Sequence, residues 1–319
     1  MDLQMLQKRA SVIRHTRSFF DSKNYLELDT PLLSPDLIPE SCLEVFETSR
    51  IYPAASIKKN RSLYLIPSPE IWMKKIIARH RINVYQICKC FRNGESSGHL
   101  HNSEFTMLEY YTMDADYMYS LMITEELFAY LAKKEDVPFP APPFDRITVA
   151  QAFDKYAGFN LFEAAENGSL EEHAKRLGLE PMPGMTTGEL YDLIFIHSVE
   201  PCLKNEKPVA LLDYPAFVPC LAKKAYNKNT VERWELYYNG IELANCFSEE
   251  TDPQVVKDFF ISEEKEKLET ALVQHKVDHN YWKIFKDFPR CSGVAMGLDR
   301  LIMALTGRLT IDSVIITES

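Results

Sequence analysis

The chain has 319 residues, of which 46% are hydrophobic, and a formal net charge of −10, so it can bury one large core or two lobes. Seven cysteines, an odd number without a CxxC pair or a recognisable signal peptide, indicate reduced thiols and a cytoplasmic protein. The acidic balance argues against broad nucleic-acid binding, and no apolar run reaches transmembrane length, so no membrane association is expected.

The first element predicted along the chain is a helix followed by an extended segment. Residues 26–39 form the extended segment, in which Pro31 is typical of an edge strand. An amphipathic helix beside an edge strand accounts for the pattern. The helix is predicted from an apolar stripe at helical spacing, made by Leu3, Leu6, Ala10, Ile13 and Phe20.

A second helix is predicted after Ser68, which can cap it, with Pro69 at the first helical position and Glu70 complementing the dipole. A run of basic residues near this helix is of the kind that usually forms a solvated face. This run comprises Lys74, Lys75, Arg79 and Arg81. The buried face is predicted to comprise Trp72, Met73, Ile76 and Ile77.

A long-looped hairpin follows. Residues 84–91 and 104–111 alternate as strands do, and a polar, glycine-containing loop joins them. Arg92 stands at the exit of the first strand, where its planar guanidinium suits a phosphate oxygen. On the second strand, Glu109 and Tyr111 are two residues apart and therefore share a face. By spacing alone, a solvated hairpin with a surface arginine also explains the pattern.

The middle of the chain is predicted to be mainly helical. Residues 138–143 are rich in proline and indicate a stiff connector. From about 147 to 205, helical patterns alternate with glycine turns, which predicts a helical insertion packed beside a sheet. With this insertion included, residues 1–319 are expected to form a single domain.

A second hairpin is predicted from two aromatic and aliphatic runs joined by Asn239-Gly240, the preferred pair for a type I′ turn. The returning strand carries Glu242 and Asn245, with Glu249 just beyond. Carboxylate and amide oxygens are the hard ligands that Mg²⁺ takes, so this group could hold the ion against phosphates. Surface acids on an edge strand are the alternative interpretation.

The last predicted elements are a short strand running into Gly297 and a helix that stops at Gly307. Arg300 lies in the first turn of this helix, where a cation is unfavourable to the helix dipole, so an anion or another partner is expected beside it. An ordinary surface arginine is the alternative. The apolar face of the helix comprises Leu298, Leu301, Ile302 and Leu305.

Several of these segments resemble the motifs of the class II aminoacyl-tRNA synthetases, and within that class the lysyl branch. The resemblance spans nearly the whole chain in the right order, and it implies an α+β fold with a mostly antiparallel sheet flanked by helices. The matching segments are residues 26–39 with the preceding helix (motif 1), SPE at 68–70, FRNGESSGHLHNSEFTMLE at 91–109 (motif 2), ELANCFSEE at 242–250, and GLDR at 297–300 (motif 3).

The resemblance implies an adenylating enzyme that uses ATP and Mg²⁺, with Arg92 and Arg300 as its catalytic residues. It also implies a homodimer formed through the motif 1 region, in which Pro31 would lie. Glu242 and Glu249 would be the metal ligands. The implied ATP-binding residues are Arg92, Asn93, Glu95, Asn102, Phe105, Glu242, Leu243, Gly297 and Arg300. The implied substrate-binding residues are Ser68, Pro69, Glu70, Glu109, Tyr111, Asn245, Glu249 and Ala295.

Two features point to one subgroup. The chain begins directly at the motif 1 helix, so no anticodon-binding domain is expected. Ala295 stands where the synthetases usually have glycine, and its methyl could favour a β-amino substrate by about 1–3 kcal/mol. The chain thus resembles the truncated paralogues that attach (R)-β-lysine to a lysine of translation elongation factor P. The expected partners are a lysine-like amino acid and elongation factor P, and tRNA binding is not expected.

The sequence departs from the family text at three places. The motif 2 loop is one residue longer and reads RNGE at residues 92–95, which leaves the adenine contacts open. Cys246 replaces a glycine, and Ser103 replaces a proline. None of these changes removes a charged group, so activity is expected.

Four alternatives stay open at this point: activation of α-lysine, a freestanding enzyme that charges tRNA, a catalytically silent binding module, and a small-molecule amide ligase of the asparagine-synthetase kind. Retention of both motif arginines with Glu242 and Glu249 argues against the silent module. The acidic residues Glu70 and Glu249 imply a cationic substrate, which argues against the small-molecule ligase.

Overall fold

The computed structural model describes residues 2–51, 61–94, 98–226 and 229–316. The predicted role of Glu95 in the ATP site falls outside these residues. Across this part of the chain, no helix combines the length and hydrophobicity that a membrane span requires.

Helices occupy both faces of a large sheet. The α-helices of the described residues are α1 (Leu3–Ser22), α2 (Glu70–His80), α3 (Tyr117–Glu135), α4 (Val149–Ala152), α5 (Leu161–Glu166), α6 (Leu170–Arg176), α7 (Thr187–Ile194), α8 (Pro253–Thr270) and α9 (Leu298–Thr306). Short π-helical turns lie at Phe153–Ala157 and Phe195–Val199, and 3₁₀ turns at Glu200–Cys202, Tyr281–Asp287 and Ile311–Ser313.

The strands of the described residues are β1 (Leu26–Glu27), β2 (Leu33–Ser34), β3 (Glu47–Arg50), β4 (Arg61–Leu65), β5 (Val84–Phe91), β6 (Glu104–Met113), β7 (Asp145–Thr148), β8 (Val209–Pro215), β9 (Thr230–Tyr238), β10 (Ile241–Ser248) and β11 (Cys291–Gly297). They form an eight-stranded sheet in the order β1-β5-β6-β11-β10-β9-β8-β7 and a small sheet in the order β2-β4-β3. In the large sheet, the edge pairs β1–β5 and β7–β8 are parallel and the other pairs are antiparallel. The predicted α+β fold with a mostly antiparallel sheet is therefore confirmed.

The two faces of the central strands have opposite characters. On β6, Leu108 and Tyr110 join the main hydrophobic core, while Glu109 and Tyr111 point to the other face because side chains alternate along a strand. The core is covered by α1, α3 and α9, and the rings of Phe20 and Tyr85 stack within it with their centroids 4.8 Å apart. One face of the sheet thus packs in the hydrophobic core, and the other face carries polar side chains.

Both predicted hairpins are present. The β9–β10 turn has positive φ at Asn239 and Gly240, as a type I′ turn requires. Helix α9 ends at Gly307, which takes a left-handed conformation with φ of 65°.

The N-terminal helix buries only part of the predicted apolar stripe. Phe20 is buried and Ile13 packs against the core, whereas Leu3, Leu6 and Ala10 are exposed. Val12 and Phe19, outside the predicted stripe, are also buried. Pro31 lies between the short strands β1 and β2 and not within a strand.

Helix α2 corrects two details of the prediction. It begins at Glu70 and not at Pro69, although Ser68 Oγ still accepts the Glu70 N–H at 3.0 Å. Its buried face includes Ile71 and Lys74, while Trp72 is only half-buried. The prediction of a solvated basic face is therefore wrong at Lys74.

Residues 149–202, between β7 and β8, contain four short α-helices and three single turns with their own hydrophobic cluster. Phe153 and Tyr191 stack at 5.3 Å between ring centroids in this cluster. Whether this segment is an insertion into a single domain stays a prediction.

A buried ion pair ties α1 to α9 and to β6. Arg9 Nη1 lies 2.6 Å from Asp299 Oδ1, and Asp299 Oδ2 accepts the Thr106 N–H at 2.7 Å. The Asp299 side chain is only 2% exposed. Breaking such a pair leaves one charge without its partner in a poorly solvated place.

We expect Asp299→Asn to lower the free energy of unfolding by about 3 kcal/mol, because Arg9 loses its counter-charge. Urea unfolding followed by circular dichroism would measure the change. Glu171→Gln, which disrupts the exposed pair with Lys175, is the control and should cost less than about 0.5 kcal/mol. Equal costs for the two variants would contradict the prediction.

Candidate active site

A cavity of about 460 Å³ lies on the polar face of the sheet. Its floor is made by β6, β11, β10 and β9, and its walls come from α2, the start of α9 and the loop around residues 38–43. The side chains held by the strands are positioned by the hydrogen-bonded ladder, which makes this a rigid surface.

Most of the predicted site residues meet in this cavity. Asn93 and Pro69 do not line it: the Asn93 side chain instead donates to the Val45 carbonyl at 3.3 Å. The predicted residues that line the cavity are Ser68, Glu70, Arg92, Asn102, Phe105, Glu109, Tyr111, Glu242, Leu243, Asn245, Glu249, Ala295, Gly297 and Arg300.

One end of the cavity carries two arginines. The Arg92 guanidinium lies over the Phe105 ring, 5.2 Å from its centroid. Arg300 Nη1 donates to the Glu242 carbonyl at 2.8 Å, and Arg300 Nη2 donates to His101 Nε2 at 2.8 Å. These contacts offset the unfavourable position of Arg300 in the first turn of α9. This end of the cavity is suited to anionic groups such as phosphates.

A β-bulge brings Glu242 and Asn245 to the same face. Three residues apart on a regular strand, they would point in opposite directions. The register of β10 against β9 shifts between Glu242 and Ala244, and the added residue turns Glu242 into the cavity. Burial, together with Glu235, raises the pKa of Glu242 to about 7 against the pull of Arg300.

Sequence reasoning missed Arg233 and Glu235 on β9. Glu235 lies opposite Asn245 and lines the cavity. Its carboxylate accepts from Arg233 Nη2 at 2.5 Å and from the hydroxyls of Tyr214 and Tyr237 at 2.5 and 2.7 Å. The sequence could have indicated both residues, because alternate side chains of β9, the first strand of this hairpin, face the same side of the sheet as those of β10.

The other end of the cavity is acidic. Glu109 accepts hydrogen bonds from the hydroxyls of Ser68 and Tyr111, both at 2.7 Å. Burial, and then the charge of Glu70, raises the pKa of Glu109 to about 8, although these two hydrogen bonds oppose the shift. Without a bound cation, Glu109 is therefore largely protonated at neutral pH.

Lys74 joins two further carboxylates at this end. Its Nζ lies 2.6 Å from Glu70 Oε1 and 2.6 Å from Glu249 Oε2. Burial raises the pKa of Glu249 to about 7 even though Lys74 pulls it down. The one sequence signal for Lys74 was its spacing four residues after Glu70, which places both on one side of a helix.

Two small residues of β11 shape the cavity floor. Ala295 lies between Glu109 and Asn245 in the register of the three central strands. A side chain at Gly293 would place its Cβ 2.5 Å from the Tyr111 ring and 2.6 Å from Glu249 Oε1. Glycine is required at 293 because no room exists for a methyl group.

The arrangement can bind a molecule with anionic groups at one end and cationic groups at the other. Within residues 2–51, 61–94, 98–226 and 229–316, no cluster of three His, Cys, Asp or Glu side chains could hold a metal ion by itself. A divalent ion would therefore need oxygens from a bound ligand in addition to the carboxylate of Glu242.

Known proteins match this chain over almost its full length. An elongation factor P–(R)-β-lysine ligase of Avibacterium paragallinarum is 35% identical over 315 residues, which are 98% of this chain and 94% of that protein. The protein of the same name from Vibrio atlanticus (strain LGP32) is 34% identical over 316 residues, again 98% and 94% of the two chains.

The family model for class II tRNA synthetases (D, K and N) matches residues 2–316. The chain belongs to the family of class II tRNA synthetases.

Proposed function

We propose that this protein activates (R)-β-lysine with ATP and transfers it to a lysine side chain of elongation factor P. The observation that carries the proposal is the charge distribution of the cavity, with Arg92 and Arg300 at one end and buried carboxylates at the other. The full-length similarity to two ligases of that name supports the choice of substrate and acceptor.

In the first half-reaction, the substrate carboxylate attacks the α-phosphorus of ATP. An aminoacyl adenylate forms, and the bond to the β-phosphate breaks to release pyrophosphate. Arg92 holds the α-phosphate, and Arg300 holds the triphosphate. The side chains supply position and positive charge and form no covalent bond with the substrate, which suits displacements at phosphorus.

Glu242 and Glu235 are the residues that would hold Mg²⁺, and the bound ion would neutralise phosphate charge. The raised pKa of Glu242, which follows from burial and from the proximity of Glu235, supports a cation at this position. Glu249 was predicted as a second metal ligand. Its contact with Lys74, at the acidic end, favours its other predicted role as an acceptor for the substrate ammonium group.

The acidic end would bind the two amino groups of the substrate. Glu249 and Tyr111 receive the far ammonium, and Glu70 receives the nearer amine. Buried carboxylates are tolerable here because the ligand cations pair with them. The Ala295 methyl, which lies between Glu109 and Asn245, narrows the space for an α-amino group and so favours a β-amino substrate.

In the second half-reaction, the uncharged ε-amine of an elongation factor P lysine attacks the carbonyl carbon of the adenylate. The amide bond forms, AMP leaves, and the amine gives up a proton. No tRNA takes part. The absence of disulfides among the seven cysteines, all within the described residues, supports a reducing, cytoplasmic setting.

We expect ATP–pyrophosphate exchange that depends on (R)-β-lysine and needs no tRNA. Arg300→Ala should lower this exchange by about 10²–10³-fold, because the triphosphate loses a preorganised charge. Arg308→Ala, which changes an exposed arginine just after the same helix, is the control and should keep normal exchange. Transfer would then be followed by mass spectrometry of elongation factor P.

A preference for α-lysine in exchange would point to a tRNA-type enzyme and would contradict the assigned substrate. Absence of exchange with any amino acid, in folded protein that binds ATP, would favour a binding module. Normal exchange in Arg300→Ala would refute the role of this arginine.

The cavity also predicts a pH dependence. Glu109 must be ionised to help bind an ammonium group, and its pKa is about 8 in the free protein. We therefore expect kcat/KM for the amino acid to rise by up to tenfold per pH unit between pH 6 and 8 and to level off above that. Exchange rates at limiting amino acid would measure the profile.

In Glu109→Gln this titration is absent, so the rise should shift to about pH 7, where Glu249 ionises, with a lower plateau. A profile of the wild-type protein that is flat from pH 6 to 8 would contradict the assignment.

We also propose that the protein is a homodimer through the motif 1 region. Leu3 is 70% exposed on α1, and Leu26 and Leu33 of the following short strands are 51% and 42% exposed. Exposed apolar side chains such as these gain stability when a second copy covers them.

We expect the double substitution of Leu3→Glu and Leu33→Glu to convert a dimer into a monomer, because buried unpaired charges oppose association. Sedimentation equilibrium would give the mass of each species. Met182→Glu, which changes an equally exposed residue in the helical segment, should leave the dimer intact. A monomeric wild-type protein would contradict the proposal.

A further inference from the structure

Lys74 is a charged side chain with no access to solvent, since its side-chain exposure is 0%. Burial alone would lower the pKa of a lysine, but Glu249 and Glu70 outweigh this effect and hold the pKa of Lys74 well above its ordinary value. The ammonium group is therefore permanently charged beside the substrate cavity. Proteins rarely bury such a charge unless it is paired.

Lys74 contacts one oxygen of each of two carboxylates. Glu70 Oε1 and Glu249 Oε2 are each 2.6 Å from the ammonium nitrogen. The second oxygen of Glu249 lies over the cavity floor at Gly293, beside the Tyr111 ring. One oxygen of Glu249 thus contacts Lys74, and the other lies at the cavity floor.

We propose that Lys74 is a positioning residue for the amino-acid substrate: its ammonium group, 2.6 Å from both carboxylates, holds Glu70 and Glu249 in place as ammonium acceptors before the substrate binds. The inference rests on the proposed function, which supplies the cationic substrate. Without Lys74, the two carboxylates would have no cation between them, and their mutual repulsion would oppose this arrangement.

The charge count at this end of the cavity fits the proposal. Glu70, Glu109 and Glu249 line the cavity around the single ammonium group of Lys74, and Glu40 and Glu263 line the same cavity. Carboxyl groups therefore outnumber the ammonium group here, which favours a substrate that brings amino groups of its own.

Tyr281 and Cys291 add no charge near Lys74 at moderate pH. The pKa values of Tyr281 and Cys291 are both raised well above their ordinary range by burial, so these two groups stay neutral. The titratable groups that interact with Lys74 from the packed elements are Glu70, Glu109, Glu249, Tyr281 and Cys291.

The decisive measurement is the pH profile of kcat/KM for (R)-β-lysine in Lys74→Met, by pyrophosphate exchange. Lys74 lowers the pKa of Glu249 and of Glu109. Its removal should therefore raise the pH at which kcat/KM increases, which is the acidic limb of the profile, by at least one pH unit. At pH 7, kcat/KM of the variant should therefore be about tenfold lower than that of the wild-type protein, and near pH 9 most of this difference should disappear. The KM for ATP should not change.

Lys75→Met is the matched control on the same helix. Lys75 is 35% exposed and lies 3.7 Å from Asp278, outside the cavity, so its profile should superimpose on that of the wild-type protein. An unshifted limb in Lys74→Met, with an equal loss at every pH, would assign Lys74 a merely structural role and overturn the proposal. Absence of exchange in the wild-type protein would instead refute the proposed function, and this inference with it.

Two further tests apply if Lys74→Met does not fold. Lys74→Gln keeps a hydrogen-bond donor but no charge, and its acidic limb should shift in the same direction. In the wild-type protein, acetic anhydride at pH 7.5 should acetylate Lys75 and leave Lys74 unmodified, because a buried, paired ammonium does not react. Acetylation of Lys74 in the folded protein as readily as Lys75 would overturn the proposal.

Discussion

The burial of carboxylates on one face of the central sheet is the constraint on which the site depends. An isolated ionised carboxylate away from water is costly, and it either takes up a proton or acquires a cationic partner. Both solutions occur here: burial raises the pKa of Glu109, Glu235 contacts Arg233, and Glu249, whose pKa is also raised, contacts Lys74. Because Lys74 belongs to α2, its ion pair with Glu249 stabilises the position of that helix on the sheet, in addition to the packing of its apolar side chains.

The opposite face of the same strands explains how the site stays rigid. The core beneath α1, α3 and α9 fixes the strands, and each strand then presents alternate side chains to the cavity. Helix α9 has two roles, since its apolar face packs in the core while its first turn carries Arg300 to the cavity. Asp299, one residue before Arg300, anchors that turn to Arg9, so the position of Arg300 depends on a buried ion pair.

Local sequence rules predicted the parts of the site that lie on regular elements. Alternation along β6 placed Glu109 and Tyr111 together, and the Asn-Gly pair predicted the β9–β10 turn. These rules could not predict that Glu242 points into the cavity, because this orientation depends on a β-bulge that is seen only in the folded sheet. The role of Lys74 was missed for a similar reason, since a lysine in a basic run looks solvated until its partner Glu249, far along the chain, is seen beside it.

Two different forces would then select the substrate. In the proposed function, the buried carboxylates would select for amino groups on the substrate, because an uncompensated buried carboxylate costs several kcal/mol. The methyl of Ala295 would select the position of the nearer amine by shape, and a single methyl discriminates by only about 1–3 kcal/mol. The electrostatic selection would thus be the stronger. On this proposal, amino acids with one amino group would be rejected firmly, and α- and β-lysine would be separated by a smaller margin.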